Sequence, residues 1–273
     1  MTVSRIEAAQ ATRGPLTGRW RTFVTPPRSG SANMAMDHAL MQRARRTGER
    51  VLRVYTWSAP TLSLGRHQAA RGRINADMAK DLGVALVRRP TGGRALLHHR
   101  EVTYSVTAAL DRDDSVRDWY ESINLVLLRA LRLMGVRAES AMPTGRTPIP
   151  GSASCFIRAD EGEIAVNGRK LVGSALLRQD GALLQHGSIL LDDDQPLLVE
   201  LLPDGETPPA PAGTLRQALG RVPEREEVAN ALFAALQTSG AEGAAGLDNE
   251  PLLEVEATEA EAIYGSEEWT YRY

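Results

Sequence analysis

The sequence predicts an α+β fold: a mixed, largely antiparallel β-sheet flanked by helices. Three observations predict it. Asn167-Gly168 and Asp180-Gly181 are two-residue hairpin signals that join apolar runs into an antiparallel meander over 163–191. Residues 116–134 carry one long apolar stripe at helical spacing. Strands and helices mix without regular βαβ alternation, which argues against a parallel sheet.

The elements follow in order. Residues 1–18 read as a loose leader without an apolar signal region. Ser31 is placed to cap a helix reaching about Arg46, with Ala35/Ala39 and Met36/Leu40 four apart. "VLRVYTW" (51–57) reads as a strand. Asn75 caps a short helix ending at Gly83, and "VALV" (84–87) is a short buried strand. "EVTYSVTA" (101–108) alternates strictly, as a half-buried strand does. Ser115 caps the 116–134 helix, which carries Trp119, Ile123, Val126, Leu127 and Leu131 and stops at Gly135. The three hairpin strands come next. A Pro-rich linker (203–213) ends the main 19–202 domain. Residues 214–273 form a small helical extension packed on it. There Pro223 opens a helix with Val228, Leu232 and Leu236 inward, and "AEGAAGLDNE" is a loop.

Composition narrows the function classes. Net charge is −2, so no basic footprint argues for nucleic acid. No run of eighteen apolar residues exists, so no membrane helix is expected. Five His and one Cys lack paired ligand spacing, so no metal site is expected. A single Cys without a secretory signal fits a reducing cytoplasm.

That single Cys155, in "GSASCF", cannot form an internal disulfide. It is a small core filler or a reactive thiol, and residue type alone leaves both open. "RRPTGGRALLHH" (88–99) has similar ambiguity. Its Gly92-Gly93 lets backbone approach a ligand, and Arg88, Arg89 and Arg94 suit a phosphate or carboxylate. The same stretch is neither a P-loop nor a dinucleotide fingerprint, and an ordinary Gly-rich loop explains it equally well. Lys170 follows a hairpin turn, where a solvated lysine is usual; in a cleft it would be a fixed cation for an anionic oxygen. His98 and His186 read most simply as structural hydrogen-bonders.

The motifs together carry a resemblance. "RRPTGGRALLH", "NGRKLVGSA", "LLQHGSI" and "NMAMDHAL" are similar to the signatures of the lipoate-protein ligase A branch of the biotin/lipoate protein ligase superfamily. "SASCF" and "GSEEWTYRY" further resemble its cysteine-dependent octanoyltransferases. Leu176 stands where that branch commonly has glutamine, and His99 where an acidic residue is frequent. The resemblance implies a catalytic-domain fold of that superfamily, with Cys155 as nucleophile and Lys170 as its cationic partner. It implies that Arg88, Arg89, Thr91, Gly92, Gly93, His98, Gly173, Ser174 and His186 bind the acyl substrate, with Leu62, Leu64, Val87 and Leu176 as candidate lining.

The implied reaction moves octanoyl from octanoyl-acyl carrier protein to a lysine of a lipoyl-domain protein, either glycine cleavage H protein or a 2-oxoacid dehydrogenase E2. The implied enzyme is a cytoplasmic monomer without cofactor. An ATP- and Mg-dependent ligase acting through an acyl-adenylate is the competing expectation, with Arg88, Gly92, Gly93 and Lys170 around the adenylate and Cys155 incidental. A non-catalytic binder of acyl chains or carrier domains is the third.

Overall fold

A computed structural model gives the structure of the protein and describes residues 15–140, 163–202, 211–247 and 250–273. Among these, β1 (Gly18–Val24), β2 (Arg50–Tyr55), β6 (Glu101–Ala109), β7 (Ala138–Ser140), β8 (Ile164–Val166), β9 (Arg169–Gln179), β10 (Ala182–Leu190) and β11 (Ala241–Gly246) build an eight-stranded sheet. Its order is β11-β1-β2-β6-β10-β9-β8-β7. From β2 to β7 all neighbours are antiparallel, whereas β1 runs parallel to both β2 and β11. A three-stranded sheet holds β4 (Ala85–Arg88), β3 (Thr61–Leu64) and β5 (Leu96–His98). The helices, in chain order, are α1 (Gly30–Thr47), α2 (Ala76–Asp81), α3 (Val116–Leu133), α4 (Leu198–Leu201), α5 (Leu215–Leu219), α6 (Arg225–Gln237), α7 (Pro251–Tyr264) and α8 (Glu267–Thr270). The mixed, mainly antiparallel α+β class is the one expected.

Local chemistry explains the boundaries. Asn167 and Asp180 adopt φ of 50° and 52°, and Gly168 and Gly181 follow at 71° and 74°, so left-handed pairs close both hairpins. Ser115 accepts from the Asp118 amide at the start of α3, and Asn75 from the Met78 amide at the start of α2. The cap of α1 is Ser29, which accepts from the Ala32 amide. Ser31, the expected cap, sits inside the first turn and bonds Glu261 instead.

Helices α3 and α6 cover one sheet face. Trp119, Ile123, Leu127 and Leu131 of α3, with Val228, Leu232 and Leu236 of α6, pack with Leu52, Val102, Tyr104 and Val106. Each such side chain contributes roughly 1.5–3 kcal/mol on full burial. Helix α1 covers the opposite face and α7 lies against α1. Met36, Ala39, Leu40, Val51, Leu253 and Ala257 form that second layer.

This layering corrects the half-buried reading of β6. Its polar row, Thr103, Ser105 and Thr107, is as buried as its apolar row because α1 lies over it. Buried hydroxyls need partners, and Ser105 donates to Asp37 of α1 while Thr103 donates to Glu101.

The "AEGAAG" stretch is also corrected. Ala and Gly disfavour strands, yet it pairs with β1 as an edge strand, Gly18 opposite Ala241. Residues 214–273, expected as a helical extension, therefore also supply a strand to the main sheet.

Candidate active site

A cavity with about 440 Å³ of empty space, counting its open mouth, lies where the two sheets meet. Met34 of α1, Tyr55 at the end of β2 and Trp57 beyond it, Arg89 and Gly93 of the 89–95 loop, and Leu96 and His98 of β5 form one side. Thr103 of β6, Gly173, Ser174 and Ala175 of β9, and His186, Gly187 and Ser188 of β10 form the other. Many of these are polar, but most of their polar atoms are taken up within the wall; the exception is His98 Nδ1, buried 3.5 Å from Glu101 without a hydrogen bond. Thr103 donates to Glu101 at 2.6 Å and accepts from Trp57 Nε1 at 2.9 Å. Ser188 donates to the other Glu101 oxygen. Ser174 and Tyr104 share a bond of 2.8 Å, as do His98 Nε2 and Ser63. Trp57 stacks on His98 with ring centroids 4.0 Å apart. The surface left facing the cavity is mostly carbon, which suits a saturated chain. Burial pushes the His98 imidazole below its ordinary range, with Glu101 opposing the shift.

Behind the cavity lies a fully buried ionic centre. Asp37 Oδ1 receives Arg53 Nη1 at 2.8 Å and Ser105 at 2.7 Å; its Oδ2 receives Tyr55 at 2.9 Å and His186 Nδ1 at 3.1 Å. Burial alone raises the Asp37 carboxyl, but His186, Arg53 and Ser105 together outweigh it and hold the group below its usual range. A carboxylate facing Nδ1 requires a proton there, so in the neutral ring Nε2 accepts from the Thr91 hydroxyl at 2.7 Å. This chain ties α1, β2, β6 and β10 to the Gly-rich loop.

A second groove, about 750 Å³ of empty space with its open side, lies beyond that tie. It continues the same walls by one step. His38 follows Met34 on α1, Pro90 follows Arg89, Leu177 follows Ala175, and Leu184 precedes His186. The Asp37–His186–Thr91 bonds form the partition between the two spaces.

The sequence-predicted residues divide accordingly. Arg89, Gly93, His98, Gly173, Ser174 and His186 meet at the cavity. Thr91 sits behind it, and the Gly92 carbonyl receives the Arg89 guanidinium. Arg88 does not face the cavity; its guanidinium is buried among backbone carbonyls. Lys170 is buried, not solvated, and its Nζ lies 2.6 Å from Glu163 Oε1. It stands three residues before Gly173 on β9, about 10 Å along the strand. Cys155 lies outside the described residues. The candidate lining is corrected: Leu62 and Leu64 pack beneath the small sheet with Ala95 and Leu97, Val87 packs with Met34 and Tyr264, and Leu176 packs on the α3 side.

Sequence reading missed Asp37, Glu101 and Glu163. Asp37 had a signal, since it interrupts the apolar run of "NMAMDHAL" on a helix whose neighbours are buried. Glu101 opens a strand and reads as a solvent-facing end. Among the described residues no group of three or more His, Cys, Asp or Glu is arranged to hold a metal, and no helix is long and apolar enough to cross a membrane.

Comparison with known proteins places this geometry in context. A family model described as the lipoyl protein ligase A/B catalytic domain matches residues 29–237. Octanoyltransferase LipM of Symbiobacterium thermophilum is 39% identical over 274 residues, covering 93% of this chain and 98% of that protein. Octanoyltransferase LipM of Kyrpidia tusciae is 39% identical with the same coverage of each. Among solved structures, a bi-partite lipoate protein ligase from Thermoplasma acidophilum matches with a TM-score of 0.74 and 21% identity, covering 93% of this chain and 96% of that chain. At that identity the likeness is one of fold.

Proposed function

The chain belongs to the lipoyl protein ligase A/B catalytic domain family, and from that premise we propose that it is an octanoyltransferase of protein lipoylation. Its relatives matched over nearly their whole length are octanoyltransferases. The observation that carries the reading is the cavity itself: a carbon-faced slot reaching to within three residues of a buried lysine on β9. Each CH₂ of an eight-carbon chain placed there contributes about 0.8 kcal/mol.

The reaction runs in two balanced steps. The Cys155 thiolate attacks the thioester carbonyl of octanoyl-acyl carrier protein; the new C–S bond forms, the old one breaks, and the carrier leaves as a thiolate that takes a proton. The neutral amine of an acceptor lysine then attacks the acyl-cysteine; an amide forms, the amine loses a proton and the Cys155 thiolate returns. A free thiol titrates near about 8.5, so a neighbouring cation is needed to favour the thiolate. Lys170 supplies that charge and steadies the developing oxyanion, while Glu163 holds its ammonium in place. The acceptor is a lipoyl-domain protein, glycine cleavage H protein or a 2-oxoacid dehydrogenase E2. The enzyme works as a cytoplasmic monomer, without ATP or metal.

The test is intact mass after mixing the protein with octanoyl-acyl carrier protein in the absence of ATP. An octanoyl gain that is lost in Cys155→Ala supports the acyl-enzyme. No gain, with transfer to a lipoyl domain only on adding ATP, makes the chain a ligase and Cys155 incidental.

A further inference from the structure

Arg88 precedes the cavity-lining Arg89, yet its guanidinium is fully buried and, among the described residues, is held by backbone carbonyls rather than by an ion pair. Its Nη1 reaches the carbonyls of Gly65 and Gln68 at 2.7 Å, and Nη2 reaches that of Thr270 at 2.8 Å. Nε bonds the carbonyls of Trp269 and Thr270 at 3.1 and 3.0 Å. The tail returns the contact: Trp269 Nε1 donates to the Arg88 carbonyl at 2.8 Å, and the Ala70 amide donates to the Tyr273 carbonyl at 2.9 Å. All three nitrogens of the fork thus donate to backbone carbonyls, which fixes two distant chain segments against one another.

The 65–68 turn held in this way is the support of the acyl loop. The Arg66 amide donates to the Thr91 carbonyl at 2.8 Å, and the Arg89 amide to the Leu64 carbonyl at 3.0 Å. Gly65 meets Gly93 so closely that a Cβ on it would lie 1.9 Å from the Gly93 oxygen. Tail, guanidinium, turn and loop therefore stack in sequence, ending at the wall formed by Arg89 and Gly93.

We propose that Arg88 and the Trp269–Tyr273 segment act together as a positioning latch that sets the acyl loop at the cavity wall, so that the tail controls acyl-substrate binding without touching substrate. Arg88 is a positioning residue, not a substrate ligand. The consequence for substrate rests on the octanoyltransferase reading; the mechanical coupling does not. Lysine at 88 keeps the charge but replaces a planar fork by one nitrogen, and cannot span the turn and the tail together.

The experiment compares wild type, Arg88→Lys and Trp269→Phe by peptide-resolved amide exchange and by steady-state transfer from octanoyl-acyl carrier protein. The latch requires faster exchange over 89–94 in both variants with β6 and β10 unchanged. It also requires KM for the octanoyl donor to rise by about tenfold or more while kcat changes less, since misplacing a binding wall by about 1 Å costs up to roughly a hundredfold. Unchanged exchange over 89–94 in the milder Trp269→Phe overturns the proposal. So does exchange rising uniformly through β6 and β10, which marks plain loss of stability. If loop exchange rises but wild type transfers no octanoyl, the latch stands and the octanoyltransferase reading fails.

Discussion

The Thr91 hydroxyl lies 2.7 Å from His186 Nε2, and this one bond joins the Gly-rich loop to the central strand β10 at the partition between the cavity and the groove beyond it. His186→Ala removes the ring and the bond together. The two spaces then join, and chains longer than octanoyl gain room. The expected outcome is a rise in kcat/KM for dodecanoyl relative to octanoyl carrier protein, by up to roughly fourfold per added CH₂ if each contributes about 0.8 kcal/mol. Competing the two donors in one reaction reads the ratio directly. An unchanged ratio means chain length is limited elsewhere.

Asp37 anchors that partition and is also a stability centre. In Asp37→Asn the Arg53 guanidinium stays buried without its counter-charge, a loss of about 3–5 kcal/mol. The sign with pH follows from the depressed carboxyl. The native state holds this proton less tightly than the unfolded chain, so the contribution is complete above the unfolded value near about 4 and fades as pH falls further. Urea unfolding between pH 3 and 7 is expected to show a shallower acid limb in the variant than in wild type. Parallel limbs in the two proteins would assign the acid loss to other carboxylates.

The fold was legible where one local rule was strong enough to decide it. Asn167-Gly168 and Asp180-Gly181 required hairpins, and the Trp119–Leu131 stripe required α3. Those rules describe a residue's own element. They do not say what lies above it: β6 reads as half-solvated from its own alternation, whereas α1 covers Thr103, Ser105 and Thr107. Edge strand β11 carries no strand-forming residues and is fixed by pairing with β1 and by packing against α6. The site divides the same way. Its glycines and His186 stand in contiguous motifs, but Asp37, Glu101 and Glu163 matter through partners distant in sequence. Arg88 looked like a ligand residue because charge type is visible in sequence, whereas the carbonyls that absorb it are not.

Lys170 and Glu163 offer a separation of structural from chemical roles. Lys170→Met alone removes the ammonium 2.6 Å from the buried Glu163 carboxylate and is expected to lower both stability and transfer. Pairing it with Glu163→Gln removes the carboxylate charge as well. Replacing a buried ion pair by neutral groups is often close to neutral in stability, so the double variant is expected to melt near wild type. If the ammonium serves the oxyanion, octanoyl transfer stays down by roughly a hundred- to a thousandfold in that double variant. Recovery of both melting temperature and rate would make the pair purely structural.

His98 sets a second pH window, distinct from that of Asp37. Burial holds its imidazole below the ordinary value while the ring lies flat on Trp57. The unfolded chain therefore binds this proton first as pH falls. Stability is complete above the unfolded value near about 6.5 and declines as pH drops towards the lower native value. His98→Gln keeps a side chain able to bond Ser63 but does not titrate. Melting temperatures across pH 5–7 are expected to fall more steeply with acid in wild type than in the variant. Equal slopes would show that protonating His98 costs the fold nothing, and that Glu101, 3.5 Å from its Nδ1, absorbs the charge.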